Sequence, residues 1–185
     1  MKWQDGVAQA SFEWTREQMS LAVGAFERIF GFSPRVHGAA GWQLNDHVPA
    51  LERHFGFEIS SDTRGQTPFL PAAGGILQIP TTLPTLDELV GVDGADVEHA
   101  VGQILALSKR DAQRDHVFTL HAELEGGAYH RNFEHLLRGW QESGFEFRTL
   151  GDVARTLDRG SLRVSRIDAG VVEGRSGTLA IQSLG

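Results

Sequence analysis

The chain has 185 residues, 41% hydrophobic and 22% charged, and a formal net charge of −7 from 24 acidic and 17 basic side chains. That length holds one domain with a sizeable core and not two of ordinary size, and the acidic balance argues against broad nucleic-acid binding or a polybasic hold on anionic lipid. With no cysteine, disulfides and thiolate metal sites are excluded.

No apolar run is long enough to span a bilayer, and residues 1–5 are not followed by a signal-peptide core. A soluble, cytoplasmic protein is expected, with at most peripheral membrane association. The first helix is signalled by Thr15 and Gln18 as a capping box, with Trp14 and Met19 as a hydrophobic staple. Met19, Val23, Phe26 and Phe30 then make one apolar face, and Gly31 suits the stop. A strand around Arg35–His37, a turn through Gly38–Trp42 and a short helix over 46–55 follow, with Pro49 near that helix's start. Phe57–Ser61 and Leu77–Ile79 read as short strands around a Gly/Pro-rich loop. Asp96 caps a helix carrying Val97, Ala100, Val101, Ile104 and Leu105. The run His116–Leu124 reads as a strand. Asn132 is expected to cap a helix burying Phe133, Leu136, Leu137 and Trp140 and ending near Gly144. Thr149 opens a last helix, and the Gly-rich segment after Gly160 is expected to form loosely packed strands or a tail. Alternating strands and helices imply an α/β fold with mostly parallel strands. Too few strands occur for a closed barrel of eight βα units, which leaves an open sheet or a barrel without its first strands.

The run Phe118–Glu125 alternates. Phe118, Leu120, Ala122 and Leu124 share one face; Thr119, His121, Glu123 and Glu125 share the other. The polar face is either a catalytic mouth or the solvated side of an edge strand. Asp62, at the end of the strand over 58–61, either orients a His as general acid or belongs to an ordinary Asp/Gly turn with Gly65. Arg64 suits a phosphate or Asp62 itself. Gly38–Trp42 is a small-residue turn ending in an aromatic, fit for close ligand approach or for packing. His37 and His47 lie near that turn with no ligand spacing between them. No dinucleotide, P-loop or His-Glu-x-x-His pattern occurs.

Together the segments Ala39–Trp42, Ser61–Gly65, Pro68–Phe69, Gln78–Glu88, His121–Gly126 and Tyr129–Leu137, with Gly174 and Arg175, resemble the NodB-type polysaccharide deacetylases. The nearer likeness is to their 4-deoxy-4-formamido-L-arabinose-phosphoundecaprenol deformylase branch, related to lipid A modification. The resemblance implies a distorted (β/α) barrel, here a partial one lacking its first strands, with residues 1–160 as the barrel portion and 161–185 as C-terminal strands or tail. It implies a metal-dependent amide hydrolase, usually with zinc held by one Asp and two His. A second Asp acts as base on bound water, and a His protonates the departing amine. His121 matches the acid and Asp62 the Asp that orients it. Gly41 and Trp42 match the motif lining the site, which often carries Arg in other deacetylases, so a charge is absent there. Arg64, Glu123 and Tyr129 fit substrate-binding positions for an amino sugar, including one linked to a polyprenyl phosphate. The paired-Asp and His-x-x-x-His metal motifs should precede Trp3. This chain is therefore expected to contain no metal ligands or cofactor and to show little hydrolase activity. An unpaired sheet edge is expected to favour a homo-oligomer. Two other readings stay open: a non-catalytic remnant that binds a sugar or lipid-linked ligand, and an unrelated α/β module in which His121 and Asp62 are structural.

Overall fold

The structure, a computed structural model, describes residues 2–183. Its helices are α1 (Lys2–Gly6), α2 (Phe12–Phe30), α3 (Val48–His54), α4 (Leu86–Leu89), α5 (Val97–Arg110), α6 (His130–Glu142) and α7 (Leu150–Thr156). Its strands are β1 (Val36–His37), β2 (Ile59–Ser60), β3 (Phe69–Pro71), β4 (Leu77–Gln78), β5 (Arg163–Ser165), β6 (Ile167–Gly170) and β7 (Leu179–Gln182). The chain divides into two compact units. The first is Met1–Pro80, Thr149–Gly170 and Thr178–Gly185; the second is Thr81–Arg148 with Val171–Gly177.

The first unit contains every described strand. Five form an open sheet of order β1-β2-β4-β3-β5, and a β6-β7 hairpin forms a second. Within the five-stranded sheet the pairs β1/β2, β2/β4 and β3/β5 are parallel and β3/β4 is antiparallel, while β6/β7 is antiparallel in the second. The fold is thus α/β with a mainly parallel sheet, and among the described residues that sheet does not close into a barrel. Ile59, Phe69 and Leu77 are all buried, as expected for strands covered on both faces, which need not alternate. The segment after Gly160 is ordered into strands rather than a tail, and its last residues, Leu184 and Gly185, lie outside the described ones. β5 joins the main sheet, and Leu179, Ala180 and Gln182 of β7 are buried.

Helix α2 begins one turn earlier than its sequence suggests. Ser11 is the N-cap, its Oγ accepting from the Trp14 N–H, and Thr15 lies inside the helix, its hydroxyl donating to the Ser11 carbonyl at 2.9 Å. Ser11 and Thr15 both precede helix-compatible residues, and the earlier one satisfies an extra turn of amides. The stop at Gly31 is as expected, with a left-handed φ of 75°. Pro49 sits in the first turn of α3, where its missing N–H costs nothing.

The second unit packs α4, α5 and α6 around Leu83, Leu86, Ala100, Val101, Ile104, Leu136 and Trp140. Asp96 caps α5 by accepting from the His99 N–H at 2.8 Å. Asn132 does not cap α6. It lies within the helix, buried, and donates to Glu98 Oε1 at 2.6 Å. The expected strand over His116–Leu124 is also absent. Residues 115–121 form no strand; the Val117 carbonyl accepts from the Thr82 and Leu83 N–H groups at 3.0 and 3.1 Å, and the Thr119 hydroxyl meets that of Thr81 at 2.9 Å. The Val117 N–H donates to the Thr82 hydroxyl instead of to a backbone carbonyl. At His121 the chain turns helical, its carbonyl accepting from the Leu124 and Glu125 N–H groups, and a π-type turn spans Leu124–Ala128. Alternation had signalled extended backbone, but a strand also needs a partner. No helix among the described residues is long and apolar enough to cross a membrane.

Candidate functional site

In the first unit the parallel register brings His37, at the end of β1, beside Ser60 of β2. Asp62 follows two residues later and is fully buried. Its Oδ1 accepts from the Ala39 N–H at 2.7 Å and lies 2.9 Å from His37 Nδ1. Its Oδ2 lies 3.3 Å from the donor Nε2 of Gln78, the last residue of the next strand, β4. Glu52, buried on α3, completes the group: its Oε1 is 3.2 Å from the same Nδ1 and accepts from the Ser60 hydroxyl. His37 Nδ1 is itself inaccessible and makes no aligned hydrogen bond to either carboxylate. It stands between them at ion-pair range.

The electrostatics follow from that placement. Burial alone would depress the His37 imidazole, but the charge and proximity of Asp62, joined by Glu52, push its pKa up to about 10. Burial, reinforced by Asp62 and opposed by His37, pushes Glu52 up to about 7. Burial would raise Asp62 as well, yet the His37 charge and the surrounding hydrogen bonds hold its carboxyl well below the usual range. Asp62 is thus an ionised buried carboxylate with a cationic neighbour. The turn Ala39–Trp42 carries no charge, but His37, just ahead of it, supplies one. Sequence reasoning set His37 aside for lack of ligand spacing and passed over Glu52.

The residues expected around Asp62 are also placed. Gly41 has a left-handed φ of 64°, which favours glycine, and a Cβ there would displace the flexible Gln4 side chain, met at 2.8 Å. Trp42 is buried at 3% exposure, and the Arg64 guanidinium lies 4.9 Å from its ring centroid, a cation–π stack. The Arg64 N–H donates to the Ala180 carbonyl at 2.9 Å, and its carbonyl accepts from Gln182 at 2.7 Å. This ties the loop after Asp62 to β7. A cavity of about 340 Å³ is lined by Trp3, Met19, Phe57 and His37 among others.

The other expected residues fall in the second unit. His121 is partly exposed, with Nδ1 3.3 Å from Asp87 Oδ1 of α4. Its backbone N–H donates to Glu125 Oε2 at 2.7 Å, and Glu125 is buried. Because the chain turns helical at Ala122, Glu125 returns under His121 rather than beside it on a strand face. Glu123 is exposed, and Tyr129 packs partly buried against the core. Arg175 clamps α4: its Nε donates to Glu88 Oε1 at 2.9 Å, and its Nη2 lies 3.2 Å from Asp87 Oδ2. Gly174 makes this approach possible, since a Cβ there would stand 2.1 Å from the Glu88 carbonyl oxygen. Asp87 therefore meets both Arg175 and His121, a contact that nothing in the local spacing signalled.

The fold resembles that of a crystal structure described as a polysaccharide deacetylase from Mycobacterium smegmatis, with a TM-score of 0.66 and 17% identity over 88% of this chain and 63% of that one. Two curated relatives are named as 4-deoxy-4-formamido-L-arabinose-phosphoundecaprenol deformylases. The protein from Wigglesworthia glossinidia brevipalpis is 30% identical over 97% of this chain and 64% of its own length. The protein from Shewanella sediminis is 41% identical over 58% of this chain and 35% of its own length. No family model matches the sequence. These likenesses support the NodB-type polysaccharide deacetylase family. Within that family its likeness is to the formamido-arabinose deformylases, of which it spans less than two thirds of the length.

The Asp-His-His donor set implied by that family is not assembled among the described residues. The one group there that brings three potential metal donors within 4.8 Å of one another is His37, Glu52 and Asp62. Its single imidazole and two carboxylates are a different donor set.

Proposed function

We propose that this protein belongs to a hydrolase acting on the linear amide of a formylated or acetylated amino sugar, with His121 as the proton donor to the departing amine. The observation that carries the reading is the setting of His121. Its Nδ1 lies 3.3 Å from an Asp87 carboxylate oxygen, which orients the ring and leaves Nε2 facing substrate, where it must carry the proton that the departing amine takes. Asp62, which the family resemblance assigns to orienting the acid His, has its carboxylate engaged by His37, Ala39 and Gln78. The relatives' names support a polyprenyl-phosphate-linked amino sugar as substrate. Arg64, stacked on Trp42, is suited to a phosphate or a sugar hydroxyl, and the Gly41 turn, Glu123 and Tyr129 are the further substrate contacts we assign.

We take the fold as a partial barrel of the family type and the protein as cytoplasmic, meeting its lipid-linked substrate at the membrane surface. β1, at the edge of the sheet, is the surface through which a homo-oligomer would form. The family's His-x-x-x-His motif does not occur in residues 1–185, so turnover by this chain is expected to be slow. The test is binding and formate release with a 4-formamido-arabinose polyprenyl phosphate, compared with its acetylated analogue. Saturable binding weakened by Arg64→Ala, with slow release lost in His121→Ala, is expected. Binding without any release would leave a sugar-binding role and no hydrolysis; no binding of either compound would remove the proposal.

A further inference from the structure

We propose that His37, Glu52 and Asp62 form a divalent-cation site in the first unit, distinct from the Asp-His-His centre of the family and independent of the role given to His121. Three observations point to it. The first is convergence. Nδ1 of His37 lies 2.9 Å from Asp62 Oδ1 and 3.2 Å from Glu52 Oε1. Donor atoms bound at about 2.1 Å to one zinc-like ion stand roughly 3–3.5 Å from each other. The existing spacing therefore already approximates a coordination shell, and small side-chain movements would open room for the ion.

The second observation is charge. Two carboxylates, both at about 1% exposure or less, surround one imidazole. The metal-free group reaches neutrality only by keeping a proton on Glu52 as well as on His37, whereas a dication balances both carboxylates with the imidazole neutral. Buried charges are retained where they are paired or coordinate metals. His37 Nδ1 is enclosed yet has no aligned hydrogen bond, which is the arrangement of a lone pair or proton waiting on a better partner.

The third is the outer shell. Glu52 Oε1 is held by the Ser60 hydroxyl, and Asp62 by the Ala39 N–H and by Gln78. Such contacts orient ligands and raise metal affinity. His37 also lines a cavity of about 340 Å³, so the imidazole is the member of the group nearest to open space. One imidazole and two carboxylates suit zinc, manganese or iron rather than calcium or magnesium.

The test uses the untagged 185-residue chain stripped with EDTA, titrated with Co²⁺ followed in the visible and with Zn²⁺ by calorimetry. One ion per chain is expected, with affinity at least about 50-fold weaker in His37→Gln and in Glu52→Gln, circular dichroism confirming that each variant folds. X-ray absorption of the zinc-loaded wild type provides a readout that needs no variant, and should show oxygen and nitrogen neighbours with a single imidazole. No binding at submillimolar metal, affinity unchanged in both variants, or two or more imidazoles at the ion would overturn the proposal.

Discussion

His37 and Asp62 meet across one step of a parallel sheet, with Nδ1 2.9 Å from Oδ1, although 24 residues separate them from the end of β1 to the loop after β2. Register alone creates the contact: His37 pairs with Ser60, and the next two residues carry Asp62 past the strand end. Breaking a buried ion pair by removing one partner strands the other charge, at a cost of about 3–5 kcal/mol. Asp62→Asn is expected to destabilise the protein by that order in urea unfolding. A loss under about 1 kcal/mol would mean that the pair is not formed.

The same group sets a pH dependence in metal-free protein. Glu52 has its folded pKa raised from 4.5 to about 7. Its contribution to stability is therefore full below the ordinary glutamate value and lost as pH rises through about 7. His37, raised from 6.5 to about 10, favours the folded state below 6.5 and loses that effect as pH climbs toward 10. Asp62 is depressed, so its contribution is present above the ordinary aspartate value and lost in more acidic solution. Thermal unfolding with EDTA should show greatest stability near pH 4–5 from this group, declining in steps toward pH 10. Glu52→Gln should remove the step between about pH 5 and 7 and leave the alkaline one. A variant that keeps the first step would assign it elsewhere.

Gly174 and Arg175 form a strap on α4. With φ at 80° and the Glu88 carbonyl where a Cβ would sit, Gly174→Ala combines left-handed strain of about 1–3 kcal/mol with a backbone clash. It is expected to release Arg175 from Glu88 and Asp87. Hydrogen exchange should then speed selectively in α4, read at Val90, whose N–H donates to the Leu86 carbonyl. Unchanged exchange there would show that the strap holds nothing.

The core of the second unit gives a packing test. Leu136 is fully buried among Leu83, Ile104 and Trp140, and Leu136→Ala should cost about 2–5 kcal/mol. Trp140 Nε1 donates to Ser108 Oγ at 2.9 Å with both groups buried. Ser108→Ala leaves that indole N–H unpaired, at about 1–3 kcal/mol. Urea unfolding of each variant measures both, and a neutral Ser108→Ala would mean that water or another acceptor takes the serine's place.

Local chemistry made much of the fold legible. Asp96, Thr149 and Gly31 mark helix ends because capping is decided within a few residues. The start of α2 was misplaced, because Thr15 with Gln18 satisfies the capping-box pattern while the N-cap in the fold is Ser11, one turn earlier. The run over 116–124 was misread because alternation describes backbone extension, while a ladder also needs a neighbouring strand in register. Asp62 and His121 were visible as candidates through motif order. Their immediate partners were not: His37 and Glu52 reach Asp62, and Asp87 reaches His121, through tertiary placement that leaves no spacing signature. The uncharged Ala39–Trp42 turn gave no hint of the imidazole at the end of β1 or of the Arg64 guanidinium over Trp42.

The role of His121 in amide hydrolysis is tested most directly by single-turnover release of ¹³C-formate from a labelled 4-formamido-arabinose polyprenyl phosphate, with protein in excess over substrate. Wild type is expected to release formate slowly, and His121→Ala at least about 100-fold more slowly, as for loss of a general acid, while still binding the substrate. Equal release by the two proteins would contradict the assignment of His121, and no release from bound substrate by wild type would contradict hydrolysis by this chain.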